Sequence, residues 1–209
     1  MGKKYELTEE TKEFYGRTLH RIKALKNFGD VEVGDLGGYI ESESNLMQEG
    51  CAWVYGNAMV YGSARVCDNA KVYGDAKVFD NAKVYGDANV YGSANVYGDA
   101  MVLGSADVCG SANVYGSANV YGYADVRGDA DVCGDAEIKG KTDYIVFKNW
   151  WSSGRYFTWT HSNNMWKVGC FYGTGKELVE KANKDSELSG REYERVVKYV
   201  KSILADEKK

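Results

Sequence analysis

Two histidines, His20 and His161, are the side chains in this 209-residue chain best suited to acid–base chemistry near pH 7. A neutral imidazole can remove a proton from an amine or a hydroxyl, which is the step that an acyl transfer needs. Neither histidine has an orienting partner at a recognisable spacing, so both are weak catalytic candidates and we expect a non-catalytic protein. The five cysteines form no CxxC pair, so no metal site is expected.

A second set of residues is suited to binding. Basic and aromatic side chains are interleaved near the C-terminus, at Lys148, Trp150, Arg155, Trp159, Trp166 and Lys167. Cations hold anionic groups and an indole face can stack on a ring, so this set predicts a pocket for a small anionic, nucleotide-like ligand. Residues 142–209 also carry twelve Lys and Arg against nine Asp and Glu. The alternative is that the aromatic residues form only the core of a small unit.

The elements that must position these residues follow from a six-residue period. Alanine stands at position 52 and at every sixth position up to Ala136, and an aliphatic residue follows two positions later, from Val54 to Ile138. Six does not fit the 3.6-residue turn of a helix, whereas Ala-x-Val-Tyr alternates as a strand does. Gly-Asp, Gly-Ser and Asp-Asn pairs then turn the chain. Short strands that bend at regular intervals predict a solenoid whose strands pair between coils.

This repeat resembles the hexapeptide-repeat family, whose fold is the left-handed parallel β-helix. Val54 and Ala58, with their successors, match the inward aliphatic and small positions of that family. Glycine follows the aliphatic residue by two positions, as in Val84-Tyr85-Gly86, and not directly. The stretch GDLGGYIESESNLMQEGCAWVYGNA is similar to the start of uncharacterised bacterial and phage hexapeptide-repeat proteins, some of them named transferases. The resemblance implies three hexads per coil, about five regular coils and a left-handed winding.

The resemblance also implies a homotrimer, because family members commonly associate along such faces. One face of the predicted coil carries no charge in its outward aromatic column, and large exposed apolar patches usually mark an interface. The interface residues that we predict are Tyr61, Phe79, Tyr97 and Tyr115. Enzymes of the family bind an acyl-CoA, so acetyl-CoA is expected only if this chain is an enzyme, and otherwise no cofactor is expected.

The period divides the chain into three regions. Residues 1–51 predict an N-terminal β cap with degenerate hexads, because the terminal repeats of a solenoid must be atypical. Residues 52–141 form the regular hexapeptide repeat. Residues 142–209 predict a small α+β module of three aromatic strands, at 143–151, 155–162 and 165–172, and two helices. Thr174 with Glu177, and Ser189 with Glu192, have the spacing of a capping box. The predicted fold class is therefore mainly β.

A formal net charge of −4 and the lack of a long apolar run argue against nucleic-acid and membrane partners. Scattered cysteines and an N-terminus without an apolar signal segment favour a cytoplasmic protein. We therefore expect an oligomeric scaffold that binds a small anionic ligand or a protein partner, and sequestration of a host nucleotide by a phage-encoded protein is one such use. The alternative is a CoA-dependent acyltransferase or acetyltransferase of the hexapeptide-repeat family.

Overall fold

The computed structural model describes residues 2–206, which form two compact units that divide after Asp143. The first unit begins with strands β1 (Tyr5–Phe14), β2 (Arg17–Ala24) and β3 (Leu36–Ile40), which pair antiparallel in that order. A short 3-10 helix follows at Glu43–Asn45. Strand β3 then pairs in parallel with the strand at Met59–Val60, so these N-terminal strands extend one sheet of the repeat region.

Each hexad of the repeat region contributes one strand of two residues. Three parallel sheets result, and partners lie eighteen residues apart, as in the pairing of Asn89 with Asp107. The strands are β4 (Trp53–Val54), β5 (Met59–Val60), β6 (Arg65–Val66), β7 (Lys71–Val72), β8 (Lys77–Val78), β9 (Lys83–Val84), β10 (Asn89–Val90), β11 (Asn95–Val96), β12 (Met101–Val102), β13 (Asp107–Val108), β14 (Asn113–Val114), β15 (Asn119–Val120), β16 (Asp125–Val126), β17 (Asp131–Val132) and β18 (Glu137–Ile138). The first sheet contains β4, β7, β10, β13 and β16, the second continues from β3 through β5, β8, β11, β14 and β17, and the third contains β6, β9, β12, β15 and β18.

The predicted parallel β-helix is therefore confirmed, with one incomplete coil before the five regular ones. In that coil Tyr39 pairs with Met59 and Leu46 with Val66, each twenty residues along the chain. The first coil is therefore two residues longer than the eighteen-residue coils that follow it. The left hand of the winding stays a prediction from the resemblance.

Inward alanine and valine side chains fill the coils, and the alanine and aliphatic residues of the period are buried throughout. Backbone groups pair between coils along the whole hexad, for example from the Asn89 N–H to the Ala106 carbonyl. Proline would remove one of these donors, which explains why the sequence contains none. Gly86 turns the chain at a φ of 72°, and a Cβ there would lie 2.9 Å from the backbone of Gly104. Both the left-handed conformation and the close stacking of turns favour glycine at this position.

The second unit is a four-stranded antiparallel sheet, not the predicted three-stranded one. Its strands, β19 to β22 in spatial order, precede two helices. The predicted strand 165–172 is split by a turn at Gly169, whose φ is +55°. The elements are β19 (Tyr144–Lys148), β20 (Tyr156–Thr160), β21 (Met165–Val168), β22 (Phe171–Thr174), α1 (Gly175–Asp185) and α2 (Glu187–Asp206).

Both helices pack their apolar residues on one face of this sheet. Helix α1 begins with the predicted capping box, in which Thr174 Oγ1 accepts from the Glu177 N–H and Glu177 accepts from the Thr174 N–H. The second predicted box is wrong, because α2 begins earlier and Ser186 Oγ accepts from the Ser189 N–H. Within residues 2–206 no helix is long and apolar enough to span a membrane.

Candidate functional site

The six predicted ligand-binding residues do not form one pocket, because strand alternation divides them between the two faces of the sheet. Trp159 and Trp166 face each other across β20 and β21, and both pack under the helices. The neighbouring pair in the register joins Thr158 to Lys167, so Lys167 lies on the opposite face. Lys148 pairs with Tyr156 on that opposite face as well, and its Nζ lies 5.7 Å from the Tyr156 ring centroid.

The other two predicted residues lie in the connection between β19 and β20. Trp150 is 82% exposed and its ring packs edge-on against Trp151 at 6.0 Å. The buried Asn149 shapes this turn, since its Oδ1 accepts from the backbone N–H groups of Trp151 and Ser152. The Arg155 side chain runs beside Gly169, at the edge of a cavity of about 60 Å³. The predicted stacking of a ligand ring on Trp159 or Trp166 is thus wrong, because each indole is only 2% exposed.

A different pocket brings the two buried tryptophans next to lysines that the sequence-based prediction missed. It has a volume of about 190 Å³ and lies where the sheet, the start of α1 and the second half of α2 meet. We call it the lysine–tryptophan cleft, and its lining consists of Trp159, Asn164, Trp166, Thr174, Gly175, Lys176, Val197, Val200 and Lys201.

Gly175 allows helix α1 to begin close to the sheet and to α2. A Cβ at this position would lie 2.9 Å from Val197 Cγ1 and 3.1 Å from Trp166 Nε1. Such contacts would push the helix outward, so the cleft depends on glycine here. Lys201 follows Val197 by four residues and therefore shares its helix face. This i, i+4 spacing, together with Lys176 at the start of α1, is the sequence signal that could have identified the cleft.

The two indole N–H groups in the cleft differ in their hydrogen bonding. Trp159 Nε1 donates to Asn164 Oδ1 at 3.0 Å. Trp166 Nε1 has no acceptor among residues 2–206, and it is not one of the polar atoms that are both fully buried and unpaired, so water in the cleft can reach it. A bound acceptor atom would take the place of that water as the partner of the N–H group. The cleft therefore offers an unused donor.

Two lysines, Lys176 and Lys201, line the cleft that contains this donor. Lys176 Nζ lies 3.8 Å from Glu180 Oε1, and both side chains are exposed, so the pair is weak. Lys201 has no ion pair among the side chains that the structure describes. Glu177 is held at the helix start by the Thr174 backbone and hydroxyl, and these hydrogen bonds lower the pKa of Glu177. A neighbouring groove of about 220 Å³ between the helices shares Lys176 and Lys201 with the cleft.

The two histidines occupy separate places. His20 is half-buried on β2, and its Nδ1 lies 3.3 Å from the Thr8 carbonyl oxygen. His161 is exposed in the turn after β20, with its ring centroid 5.6 Å from that of Trp159. In the part of the chain that the structure describes, no group of three His, Cys, Asp or Glu side chains is placed to hold a metal ion.

The predicted interface residues form a continuous stack, which we call the aromatic ladder, along the second sheet. Centroids of Tyr61, Phe79, Tyr97 and Tyr115 follow one another at 5.0, 4.8 and 4.8 Å, with rings nearly parallel. Tyr61 is only 8% exposed, because Phe14 and Leu19 of the N-terminal hairpin pack on it. The prediction of Tyr61 as an interface residue is therefore wrong, whereas Phe79, Tyr97 and Tyr115 stay half-buried in the single chain.

Comparison with known proteins identifies the repeat. A family described as the YdcK β-solenoid repeat matches residues 52–68. The chain is also 38% identical over 61 residues to a protein of Escherichia coli (strain K12) named "Uncharacterized acetyltransferase YdcK". The match covers 25% of this chain and 19% of that relative, so the chain spans about a fifth of its length. Residues 52–68 therefore match a YdcK-type β-solenoid repeat, the repeat region as a whole is a β-solenoid, and its resemblance to hexapeptide-repeat proteins is confirmed.

Proposed function

We propose that this chain is a non-catalytic, oligomeric β-solenoid scaffold whose C-terminal unit binds a small anion in the lysine–tryptophan cleft. The observation that carries this proposal is the unused Trp166 N–H beside Lys176 and Lys201. Hydrogen bonds between charged and neutral partners are stronger than those between two neutral groups. An anion in the cleft would accept from the indole and would be attracted by both ammonium groups.

The volume of the cleft limits the size of the ligand. Pockets for small molecules usually span about 300–1,000 Å³, and this cleft is smaller, at about 190 Å³. A phosphate or carboxylate group suits this space. A nucleotide-like ligand would place its phosphate in the cleft and the rest in the adjoining groove of about 220 Å³. Because the Trp159 and Trp166 faces are covered, a base would not stack on them.

Inorganic phosphate is the simplest probe of this proposal. We expect phosphate to raise the melting temperature of the full chain in a chloride buffer of matched ionic strength. Lys201→Gln removes one charge, and Trp166→Phe removes the N–H while keeping a ring. Each change should weaken phosphate binding about tenfold or more, since a hydrogen bond to a charged group contributes about 1.5–3 kcal/mol.

Lys148→Gln is the matched control, because Lys148 lies on the opposite face of the same sheet. It should leave phosphate binding unchanged. The proposal fails if phosphate does not stabilise the unaltered protein, or if Lys148→Gln weakens phosphate binding as much as Lys201→Gln does.

An acetyltransferase is the second candidate function, and the name of the YdcK relative is the observation in its favour. Acetyl-CoA would then be the acyl donor, and His20 or His161 would be the candidate base. Release of free CoA from acetyl-CoA in the presence of an amine or hydroxyl acceptor tests this candidate. Loss of that release in His161→Ala or His20→Ala would favour the enzyme over the binding scaffold.

A further inference from the structure

The outward tyrosines of the first sheet stack less regularly than the aromatic ladder does. Tyr73 and Tyr91 are parallel, with centroids 4.8 Å apart and an interplanar angle of 3°. Tyr55 and Tyr73 are instead 6.5 Å apart at 86°. The Tyr55 hydroxyl donates to Asp30 Oδ1 at 2.9 Å, which accounts for the turned ring. The stack is therefore open at its first step.

A groove of about 460 Å³ lies at this opening. We call it the tyrosine groove, and it is lined by Asp30, Tyr55, Lys71, Tyr73 and Asn89. Its volume falls within the usual range for small-molecule sites.

The position of Asp30 is fixed by the connection between β2 and β3. Phe28 and Val31 exchange backbone hydrogen bonds of 3.0 and 2.9 Å on either side of Asp30. The Phe28 ring packs edge-on against buried Trp53 at 5.3 Å, and Val31 is buried. The carboxylate at the edge of the groove is thus held by packing on both sides.

The charges in the groove neutralise each other. Lys71 Nζ contacts both oxygens of Asp30 at 3.1 Å. This contact and the Tyr55 hydroxyl lower the pKa of Asp30, so the side chain stays a carboxylate near neutral pH. A charged ligand would have to compete with this ion pair, whereas a neutral ligand would leave it intact.

The remaining polar groups can both donate and accept. The Asn89 side-chain N–H group donates to Asp107 Oδ1 at 2.9 Å, which leaves Asn89 Oδ1 as an acceptor. Burial raises the pKa of Tyr73, so its hydroxyl keeps its proton and can donate. Tyr55 and Tyr73 add apolar ring surface to the same groove.

We propose that the tyrosine groove binds a neutral, polyhydroxylated ring, such as a pyranose sugar. The C–H face of such a ring packs on the tyrosine rings, and its hydroxyls donate to Asp30 and Asn89 and accept from Lys71 and Tyr73. This site lies in the first unit and does not depend on anion binding by the second unit.

Saturation-transfer NMR on the full chain tests the proposal with glucose, galactose, N-acetylglucosamine, glucosamine and glucuronate as probes. At least one neutral sugar should receive saturation. Tyr73→Leu keeps an apolar side chain but removes the ring and hydroxyl, and should weaken binding roughly two- to tenfold. Asp30→Asn, which keeps the shape but loses the charge of the acceptor, should also weaken it.

Tyr85→Leu is the matched control, because Tyr85 is a half-buried tyrosine on the third sheet and lies in neither the groove nor the aromatic ladder. It should leave sugar binding unchanged. Amide shifts should map to Asp30 and to residues 71–74. Three results would overturn the proposal: no neutral sugar binds, only glucosamine or glucuronate binds, or the Tyr73 and Asp30 variants bind as the unaltered protein does.

Discussion

Lys4 is a charged residue that the fold encloses completely, with 0% of the side chain exposed. Its Nζ donates to the carbonyl oxygens of Ala52 at 3.0 Å and Glu49 at 3.3 Å, and lies 5.1 Å from the Phe28 ring centroid. Burial lowers the pKa of Lys4 to about 8, which outweighs the opposing effects of Cys51 and Glu49. Lys4 thus connects the N-terminal segment to the first coil. It also loses its proton at a lower pH than an ordinary lysine does.

Alkaline pH should therefore strengthen the contribution of Lys4 to stability. The unfolded chain keeps the Lys4 proton up to about pH 10, whereas the folded chain loses it near pH 8. Because the unfolded state binds more protons between these values, the free energy of unfolding rises with pH there. Between pH 7 and 9.5 the rise should be about 2 kcal/mol larger than in Lys4→Met, measured by urea denaturation. Equal rises in both proteins would contradict the prediction.

Single residues differ in how far the sequence predicts their roles. Ala and Val columns follow from spacing alone, because each inward position recurs every six residues. Lys4 and Asp30 gave no such signal. The partners of Lys4 lie forty-five and forty-eight residues away, and Lys71 lies forty-one residues from Asp30. Such contacts depend on how the N-terminal strands are placed on the coils, which no local pattern specifies.

Strand β3 joins the N-terminal strands to the coil through closely packed glycines. A Cβ at Gly38 would lie 2.6 Å from the Ala58 carbonyl oxygen and 2.7 Å from Val54 Cγ1. One at Gly37 would lie 2.5 Å from Ile22 Cγ1. Both glycines are needed because the backbone of β3 approaches its neighbours too closely for any side chain.

Substitution of Gly38 by alanine should therefore destabilise the first unit. Overpacking of this kind costs about 1–3 kcal/mol, and here the obstacle includes backbone, which moves less readily than a side chain. Gly140→Ala is the matched control, since nothing lies within 4 Å of a Cβ there. Urea denaturation should show a lower midpoint for Gly38→Ala and little change for Gly140→Ala. A Gly38→Ala midpoint equal to that of the unaltered protein would contradict this account.

The second unit shows where prediction of an element breaks down. Phe157 and Trp159 lie two residues apart on β20, and both pack in the core of this unit. The boundary inside the predicted strand 165–172 was missed, because Gly169 is a single residue in an otherwise strand-like segment. The predicted binding site took its cations from the predicted strands, whereas Lys176 and Lys201 of the cleft belong to the helices.

From β6 onward, the first residue of each two-residue strand changes from basic through neutral to acidic along each sheet. On the second sheet the Asn95 side-chain N–H group donates to Asn113 Oδ1 at 3.1 Å, and that of Asn113 donates to Asp131 Oδ1 at 2.8 Å. Each amide donates toward the next coil, and a carboxylate, which only accepts, ends the series. On this sheet the two amides therefore lie between Lys77 and Asp131, and their hydrogen bonds connect successive coils.

Association of whole chains is expected along the exposed part of the aromatic ladder, at Phe79, Tyr97 and Tyr115. The protein should elute as a homotrimer, and Tyr97→Glu should shift it toward the monomer because a charge would be buried in the interface. Tyr85→Glu changes a half-buried tyrosine on the third sheet and should leave the trimer intact. Multi-angle light scattering measures the mass of each species. A monomeric unaltered protein, or equal dissociation by both variants, would exclude this interface.

Strand partners lie eighteen residues apart, so the side chains of the inner and outer surfaces recur at different intervals along the sequence. Inward positions repeat every six residues, so loss of one hexad would return alanine and valine to the interior at once. Outward columns repeat only every eighteen. If one hexad between Phe79 and Tyr97 were lost, Leu103 would stack on Phe79 in place of Tyr97, and the aromatic ladder would be interrupted. A duplication of eighteen residues would lengthen the aromatic ladder by one ring. A duplication of six residues would place different outward side chains next to each other on each sheet and would leave the pattern of the core unchanged.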